Sequence, residues 1–247
     1  MTSIYSIIIV LSFLSGLTTL IGVALAFYFQ KNTKLISAGI GFSAGIMLLI
    51  SCFELIPEAL SEISIFHTTL VVLLGALIMF VLSTIIPHIH LMEDRIDINK
   101  NLLIKTSLLV AFGLILHDVP EGFAMANSFI ASPSLGLFLA IAIALHNIPE
   151  EFAMAVPMVA IKSKKFLFKA AFVSALAEPI GALIGILFVH FWTPFNSHFL
   201  AIAAGAMIFI SLHELVPMAR KYGNLFLFFV GITLSVLIYF GLNILLP

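Results

Sequence analysis

Two stretches of the sequence decide the fold: His117-Asp-Val-Pro-Glu-Gly-Phe-Ala-Met-Ala126 and His146-Asn-Ile-Pro-Glu-Glu-Phe-Ala-Met-Ala155. They agree at seven of ten positions, and both lie in long apolar segments. Each stretch places a His and a Glu four residues apart, a spacing that puts both side chains on one face of an α-helix. The sequence therefore predicts two similar helices. On each of them a His and a Glu share one face, and these faces are expected to turn toward each other inside the protein.

The composition around these stretches is that of a membrane protein. The 247 residues are 62% hydrophobic and only 9% charged. A water-soluble domain of this length needs more surface charge, whereas a bilayer accommodates apolar outer faces. The formal net charge of -1, without a basic cluster, offers no surface for nucleic acid. Membrane lipids are therefore the expected surroundings, and no nucleic-acid partner is expected.

Segments long enough to cross a bilayer, about 20 apolar residues each, occur eight times. They cover residues 4–29, 36–60, 68–87, 102–130, 135–160, 167–190, 198–219 and 224–246. Backbone groups in lipid must pair within the chain, which favours helices over open strands. The prediction is an all-α fold, a polytopic membrane helix bundle of eight spans that forms a single transmembrane domain over residues 1–247.

Lys and Arg residues assign the two sides of the membrane. All 11 lie in or beside the loops that follow the first, third, fifth and seventh spans. By the positive-inside rule these loops face the cytoplasm, so both termini lie outside. The longest of them, residues 88–101, is predicted as a cytoplasmic loop. It contains His88 and His90, for which ordinary solvation is the preferred interpretation.

A second pair of similar segments lies on the second and seventh spans. Ser51-Cys-Phe-Glu-Leu-Ile-Pro-Glu-Ala59 corresponds to Ser211-Leu-His-Glu-Leu-Val-Pro-Met-Ala219. These spans run in opposite directions, as the fourth and fifth also do. Inverted repeats around a site near the membrane midplane are typical of transporters. The two pairs therefore predict an inverted repeat.

Seven acidic residues fall inside the predicted spans, where each costs about 2.5–3.5 kcal/mol on insertion scales. They are Glu54, Asp118, Glu121, Glu150, Glu151, Glu178 and Glu214. No Lys or Arg is predicted at the same depth in the membrane, where it could pair with them. Protons, water or a metal cation must therefore neutralise these acids.

Helical spacing favours a metal cation. The predicted ligands are His117, Asp118 and Glu121 on the fourth span and His146, Asn147 and Glu150 on the fifth. Mixed imidazole and carboxylate ligation suits zinc and also iron(II), manganese, cobalt or nickel. Glu121 and Glu150 each neighbour both a His and an Asp or Asn, so they are placed to bridge two ions.

Other residues extend this set. Glu178, followed by Pro179 on the sixth span, is a further predicted ligand because intramembrane charge is functional by default. Glu54 on the second span is predicted to complete the site or to stand at its mouth. The roles of Glu151 and of His213-Glu214 stay open.

Two G-x-x-x-G motifs, Gly41 to Gly45 and Gly181 to Gly185, allow close helix packing. Such motifs are frequent in membrane helices. A homodimer is compatible with them but does not follow from them.

The paired His-x-x-Pro-Glu motifs resemble those of the Zrt/Irt-like (ZIP) transporter family, nearest its bacterial broad-specificity zinc-uptake members. The resemblance extends over the whole chain, including Glu178-Pro179 and Glu54. It implies a 3+2+3 arrangement, in which the first three helices relate to the last three by a pseudo-twofold axis and sandwich the fourth and fifth.

The same resemblance implies a binuclear site and movement of metal toward the cytoplasm. It places His117, Glu121, His146 and Glu150 at the core ligand positions and Asp118, Asn147 and Glu178 at those of the second ion. The chain departs from the common pattern at Asp118, where Asn is usual, and at Glu151, where Gly is usual. Both departures add anionic character.

The predicted function is transport of divalent transition-metal ions into the cytoplasm, with zinc first and iron, manganese, cobalt and cadmium as further candidates. The metal is then a substrate, no cofactor is required, and a multi-pass protein of the inner (plasma) membrane is expected. An intramembrane metal-dependent hydrolase is the alternative. His213-Glu214 resembles the start of H-E-x-x-H, but Pro217 stands where that motif requires His. A proton-coupled carrier of organic cations would leave the paired histidines unexplained.

Overall fold

A computed structural model describes residues 2–85, 117–159 and 163–246, which are almost wholly helical and contain no strand. The α-helices are α1 (Thr2–Gly16), α2 (Thr19–Phe29), α3 (Thr33–Ile50), α4 (Ile56–Glu62), α5 (Ile65–Ile85), α6 (residues 117–131), α7 (Pro133–Val159), α8 (Lys164–Ala175), α9 (Ala177–Phe191), α10 (Asn196–Ile210), α11 (Val216–Lys221) and α12 (Leu225–Leu245). A π-helical turn at Ser51–Leu55 joins α3 to α4, and another at Ser211–Leu215 joins α10 to α11. A 3-10 turn, Thr193–Phe195, precedes α10.

Seven segments of the described residues are long and apolar enough to cross a membrane. They are Ile4–Phe29, Thr33–Glu62, Ile65–Thr84, Pro133–Val156, Lys164–Phe191, Thr193–Lys221 and Leu225–Leu245. They match seven of the eight predicted spans, and the predicted all-α, polytopic membrane bundle is confirmed. Of the predicted fourth span the structure describes the part from residue 117 onward, which is helical, whereas the predicted loop 88–101 lies outside the described residues. The single domain and the sidedness of the termini stay predictions.

The second, fifth and seventh spans lie at the centre of the bundle. In each of them 61% of the residues in the most apolar 18-residue stretch are buried, against 17% in the third span and 22% in the eighth. The third and eighth spans expose large apolar side chains such as Leu73 and Phe240. A bilayer solvates such surfaces, so these two spans form much of the lipid-facing exterior.

Equivalent contacts recur in the two halves of the chain at an offset of 160 residues. Gly45 of α3 packs against Ile232 of α12, and Gly205 of α10 packs against Val72 of α5. The two π-helical turns have the same offset. The helix pairs α3–α12 and α10–α5 are also extensively packed. This is the repeat that the second pair of sequence segments predicts.

The helices α6 and α7 are held by another pair of equivalent contacts. Gly22 of α2 lies against the carbonyl group of Ile148 in α7, and Gly181 of α9 lies against the carbonyl group of Val119 in α6. Ile148 and Val119 occupy the same position of the repeated His-x-x-Pro-Glu motif. The first and sixth spans therefore pack against the two motif helices in the same way.

Both G-x-x-x-G motifs are used inside the chain. Gly41 and Gly45 adjoin α12, and Gly181 and Gly185 adjoin α6, in each case too closely for an added Cβ atom. Close approach of two backbones is what small residues permit in membrane helices. The motifs thus explain packing within one chain and give no argument for a homodimer.

Candidate metal centre

All but one of the predicted ligands are buried between the helices. The buried ones are His117, Asp118, Glu121, His146, Asn147, Glu150 and Glu178. Every Lys and Arg in the described ranges is exposed. The buried acids therefore share a low-dielectric interior that none of these basic side chains enters.

Three predicted ligands, Glu121, His146 and Glu150, converge between α6 and α7. One ligand atom from each lies within 4.8 Å of the other two. The Nε2 atom of His146 is 2.9 Å from Oε1 of Glu121 and 3.8 Å from Oε2 of Glu150. The Oε2 atom of Glu121 is buried and has no hydrogen-bond partner among the described residues. Two carboxylates and an imidazole around one point form a donor set that suits zinc.

Backbone contacts orient His146. Its Nδ1 atom lies 3.1 Å from the carbonyl oxygen of Ala142. Because a carbonyl only accepts hydrogen bonds, this contact favours the tautomer with the proton on Nδ1, in which the Nε2 lone pair faces Glu121 and is available to a metal ion. The hydroxyl of Ser43 donates to the His146 carbonyl oxygen at 2.9 Å, which ties α7 to α3 at this residue.

Two further polar pairs involve the residues that follow the motif histidines. Ser174 Oγ of α8 donates to Asp118 Oδ2 of α6 at 2.7 Å. Asn147 Nδ2 of α7 donates to Glu178 Oε2 of α9 at 3.1 Å. The sixth span is interrupted between α8 and α9, and Ser174 and Glu178 flank that interruption. As metal ligands these side chains offer mainly oxygen atoms, whereas the ligand atoms around His146 are both nitrogen and oxygen.

His117 faces a residue outside the predicted ligand set. Its Nε2 atom lies 3.0 Å from Oε2 of Glu214, on the second π-helical turn. A sequence signal for Glu214 exists, because it is the repeat equivalent of Glu54. The repeat does not tell which of the two equivalents reaches a motif histidine.

Glu54 lies on the first π-helical turn and contacts the eighth span. The hydroxyl of Tyr239 donates to Glu54 Oε1, and Asn243 Nδ2 donates to the same oxygen at 3.3 Å. Glu54 is only partly buried. The structure thus places it against α12, whereas the other predicted ligands lie on α6, α7 and α9. His88 and His90 lie outside the described residues.

Glu151 is a further buried acid, and the sequence analysis left its role open. A Cβ atom added at Gly22 would lie 2.7 Å from the Cβ atom of Glu151. Glu151 therefore occupies the side of α7 that packs against α2, next to the face that carries His146 and Glu150.

Comparison with known proteins agrees with this chemistry. A sequence profile of the ZIP zinc transporter family matches residues 90–243. The zinc transporter ZupT of Corynebacterium aurimucosum is 39% identical, over 85% of this chain and 86% of the relative. The zinc transporters ZupT of Chlorobium phaeovibrioides and Streptococcus mutans are each 36% identical, over 87% and 93% of this chain and 89% and 93% of their own lengths. The chain therefore belongs to the ZIP zinc transporter family, which confirms the predicted class, a transporter of divalent metal ions rather than a metal-dependent hydrolase.

Proposed function

We propose that this chain carries Zn²⁺ across the inner (plasma) membrane into the cytoplasm, with iron, manganese, cobalt and cadmium ions as further cargo. Its relatives bear the name of zinc transporters. The mixed imidazole and carboxylate donors suit zinc and also the other divalent transition metals. The metal ion is the transported substrate and not a cofactor.

The observation that carries this proposal is the convergence of Glu121, His146 and Glu150. Their ligand atoms lie within 4.8 Å of each other, and all three side chains are buried. Charges removed from water are costly unless an opposite charge compensates them. A divalent cation between the two carboxylates supplies that charge, and the carboxylates in turn offset the hydration that the ion loses on entering.

A second ion is proposed beside the first. Asp118, Asn147 and Glu178 would bind it, because they present oxygen atoms on α6, α7 and α9 next to the motif histidines. Glu121 and Glu150 would then be shared between the two ions. His117 would complete the first site after leaving Glu214, and Glu54 would bind ions at the other end of their path.

The proposed direction, toward the cytoplasm, is the one that the resemblance to zinc-uptake transporters implies, and the predicted sidedness says which helix ends lie on each side. The loops rich in Lys and Arg face the cytoplasm, and both termini lie outside. The equivalent contacts of the first and sixth spans with α7 and α6 suit alternating access, in which one group of helices moves against the other around a fixed site.

The test is metal flux into proteoliposomes that contain the purified protein and a trapped metal-sensitive dye. The wild type should pass Zn²⁺, and a panel of divalent ions at equal concentration ranks the cargo. The double variant His146→Ala/Glu150→Ala should lose at least nine-tenths of the flux, because it removes two of the three converging ligands.

A matched control separates loss of the site from loss of the fold. His67→Ala/Glu58→Ala removes the same two residue types, from an exposed position at the start of the third span and a half-buried position at the end of the second, and it should keep most of the flux. Normal flux in His146→Ala/Glu150→Ala would refute the site. Absence of flux for every metal in the wild type would refute zinc transport and leave the organic-cation carrier to be tested.

A further inference from the structure

The two π-helical turns carry glutamates at equivalent positions. Glu54 lies on Ser51–Leu55 and Glu214 lies on Ser211–Leu215, at the constant offset of 160 residues. In each turn a backbone N–H bonds to the carbonyl five residues earlier, that of Ile56 to Ser51 and that of Val216 to Ser211. Such single π-turns often mark functional positions in helices.

The two glutamates have different partners, although their backbones are equivalent. Glu214 lies 3.0 Å from His117, a residue of the candidate metal centre. Glu54 instead accepts hydrogen bonds from Tyr239 and Asn243 of the eighth span. One carboxylate therefore contacts a residue of the centre, while its equivalent is bonded to the eighth span.

Tyr239 links Glu54 to a motif helix. Its side chain is buried, and its ring contacts the ring of Phe138 on α7 edge to face, with centroids 5.4 Å apart. Because α7 also carries His146 and Glu150, movement of α7 relative to α12 would change the surroundings of the Tyr239 hydroxyl. This hydroxyl is thus placed to couple the state of Glu54 to the position of α7.

The repeat is asymmetric at these positions. The residues of α5 that correspond to Tyr239 and Asn243 are Met79 and Ser83. Met79 has no hydrogen-bond donor, and the Ser83 hydroxyl bonds to the Phe80 carbonyl of its own helix at 2.8 Å. The eighth span thus supplies two side-chain donors to Glu54, whereas the equivalent positions of the third span carry no donor of comparable reach.

We infer that Tyr239, assisted by Asn243, is a positioning residue that holds Glu54 away from the cation path in the present state and releases it to bind the incoming divalent cation in the alternate state. Glu54 and Glu214 then serve in turn, one at each end of the path. The inference rests on the proposed function and on the proposed sidedness, which puts Glu54 toward the outside.

The test is the concentration dependence of radiolabelled zinc uptake into cells. Tyr239→Phe removes the hydroxyl and keeps the ring. Loss of one hydrogen bond to a charged group shifts a two-state equilibrium about tenfold. Apparent affinity scales with the fraction of protein in the binding-competent state. We therefore expect the KM for external zinc to fall about tenfold in Tyr239→Phe, and to fall less in Asn243→Ala, without a rise in the maximal rate.

A double variant distinguishes this coupling from a purely structural role. In a Glu54→Gln background, Tyr239→Phe should leave the KM unchanged, since the carboxylate that the hydroxyl holds is gone. Tyr28→Phe, at a side chain that is 81% exposed, is the matched control and should behave as wild type. If Tyr239→Phe does not reach the membrane, Asn243→Ala carries the same comparison.

Two results would overturn the inference: an unchanged KM in Tyr239→Phe, or an equal fold-change with and without Glu54→Gln. Wild type and Glu121→Gln are measured in the same cells. Zinc uptake by the wild type and its loss in Glu121→Gln would preserve the proposed function even if the role of Tyr239 fails. Absence of zinc uptake by the wild type would instead refute the proposed function itself.

Discussion

Oε1 of Glu121 and Nε2 of His146 lie 2.9 Å apart, although the two residues belong to different helices and are 25 positions apart in the chain. Each residue comes from one copy of the repeated motif. The contact therefore shows that the two copies face each other across the interface of α6 and α7, with Glu150 on the same side.

This arrangement predicts that zinc stabilises the folded protein. A ligand that binds only the folded state stabilises it by about 2.7 kcal/mol at a concentration of 100 times its Kd. Purified wild type in detergent should therefore unfold at a higher temperature with zinc than with a chelator. Glu121→Gln should lose most of that difference, and Glu58→Gln should keep it. Full zinc stabilisation of Glu121→Gln would contradict a role for Glu121 as ligand.

Ser174→Ala tests the hydrogen bond between Ser174 and Asp118. The variant removes the hydroxyl that donates to Asp118 at 2.7 Å, and a hydrogen bond to a charged group contributes about 1.5–3 kcal/mol. We expect the KM for zinc uptake to rise about tenfold, with a smaller change in the maximal rate. Ser174→Thr, which keeps the hydroxyl, should recover part of the loss.

Ser83→Ala is the matched control for this prediction. The Ser83 hydroxyl is half-buried and, among the described residues, bonds to the Phe80 carbonyl of its own helix. Its removal should leave the KM unchanged. Equal effects of Ser83→Ala and Ser174→Ala would show that the hydroxyl of Ser174 does not act through Asp118.

Hydropathy and repetition predicted most of the fold. Lipid imposes long apolar helices, so seven spans could be recognised from composition alone. The interruptions at Leu17–Thr18 and Leu176 were not predicted, because hydropathy continues unchanged through them. Helical periodicity likewise places His146 and Glu150 on one face, which is why their convergence with Glu121 was predictable.

The partners of His117 and Glu54 could not be predicted in the same way. Their side chains are partnered by helices distant in sequence, and the repeat treats Glu54 and Glu214 as equal. The two glutamates differ in their partners, which are Tyr239 and Asn243 of the eighth span for Glu54 and His117 of the fourth span for Glu214. Glu151 was ambiguous for a related reason, since its neighbour Gly22 lies on the first span.

The close contacts of the first and sixth spans predict a steric effect. Gly22→Ala would place a Cβ atom 2.5 Å from the carbonyl oxygen of Ile148, and Gly181→Ala meets Val119 at the equivalent position. Both variants should unfold at a clearly lower temperature than wild type, despite the helix preference of Ala. Gly241→Ala meets no atom within 4 Å and should be neutral or stabilised by about 0.4–1 kcal/mol. Thermal unfolding in detergent checks all three, and wild-type stability of Gly22→Ala would contradict the packing.

Glu214→Gln tests whether the carboxylate beside His117 belongs to the transport path. The substitution keeps the size of the side chain and removes the charge that lies 3.0 Å from Nε2 of His117. A charge-assisted contact is about twice as strong as a neutral one, so the step in which His117 leaves Glu214 for the metal ion should be altered. We expect the zinc uptake rate to fall about tenfold in Glu214→Gln, because the path loses the negative charge beside His117, and to stay near wild type in Glu58→Gln.

The decisive comparison is a double-mutant cycle with His117→Ala. If Glu214 acts through His117, the double variant His117→Ala/Glu214→Gln should transport zinc no worse than His117→Ala alone, since groups in contact are not additive. If the two residues act independently, the fold-reductions of the two single variants in zinc uptake rate would multiply in the double variant. A double variant that is further reduced by the full factor of Glu214→Gln would mean that Glu214 serves the path separately from His117, and that the contact between them is not part of transport.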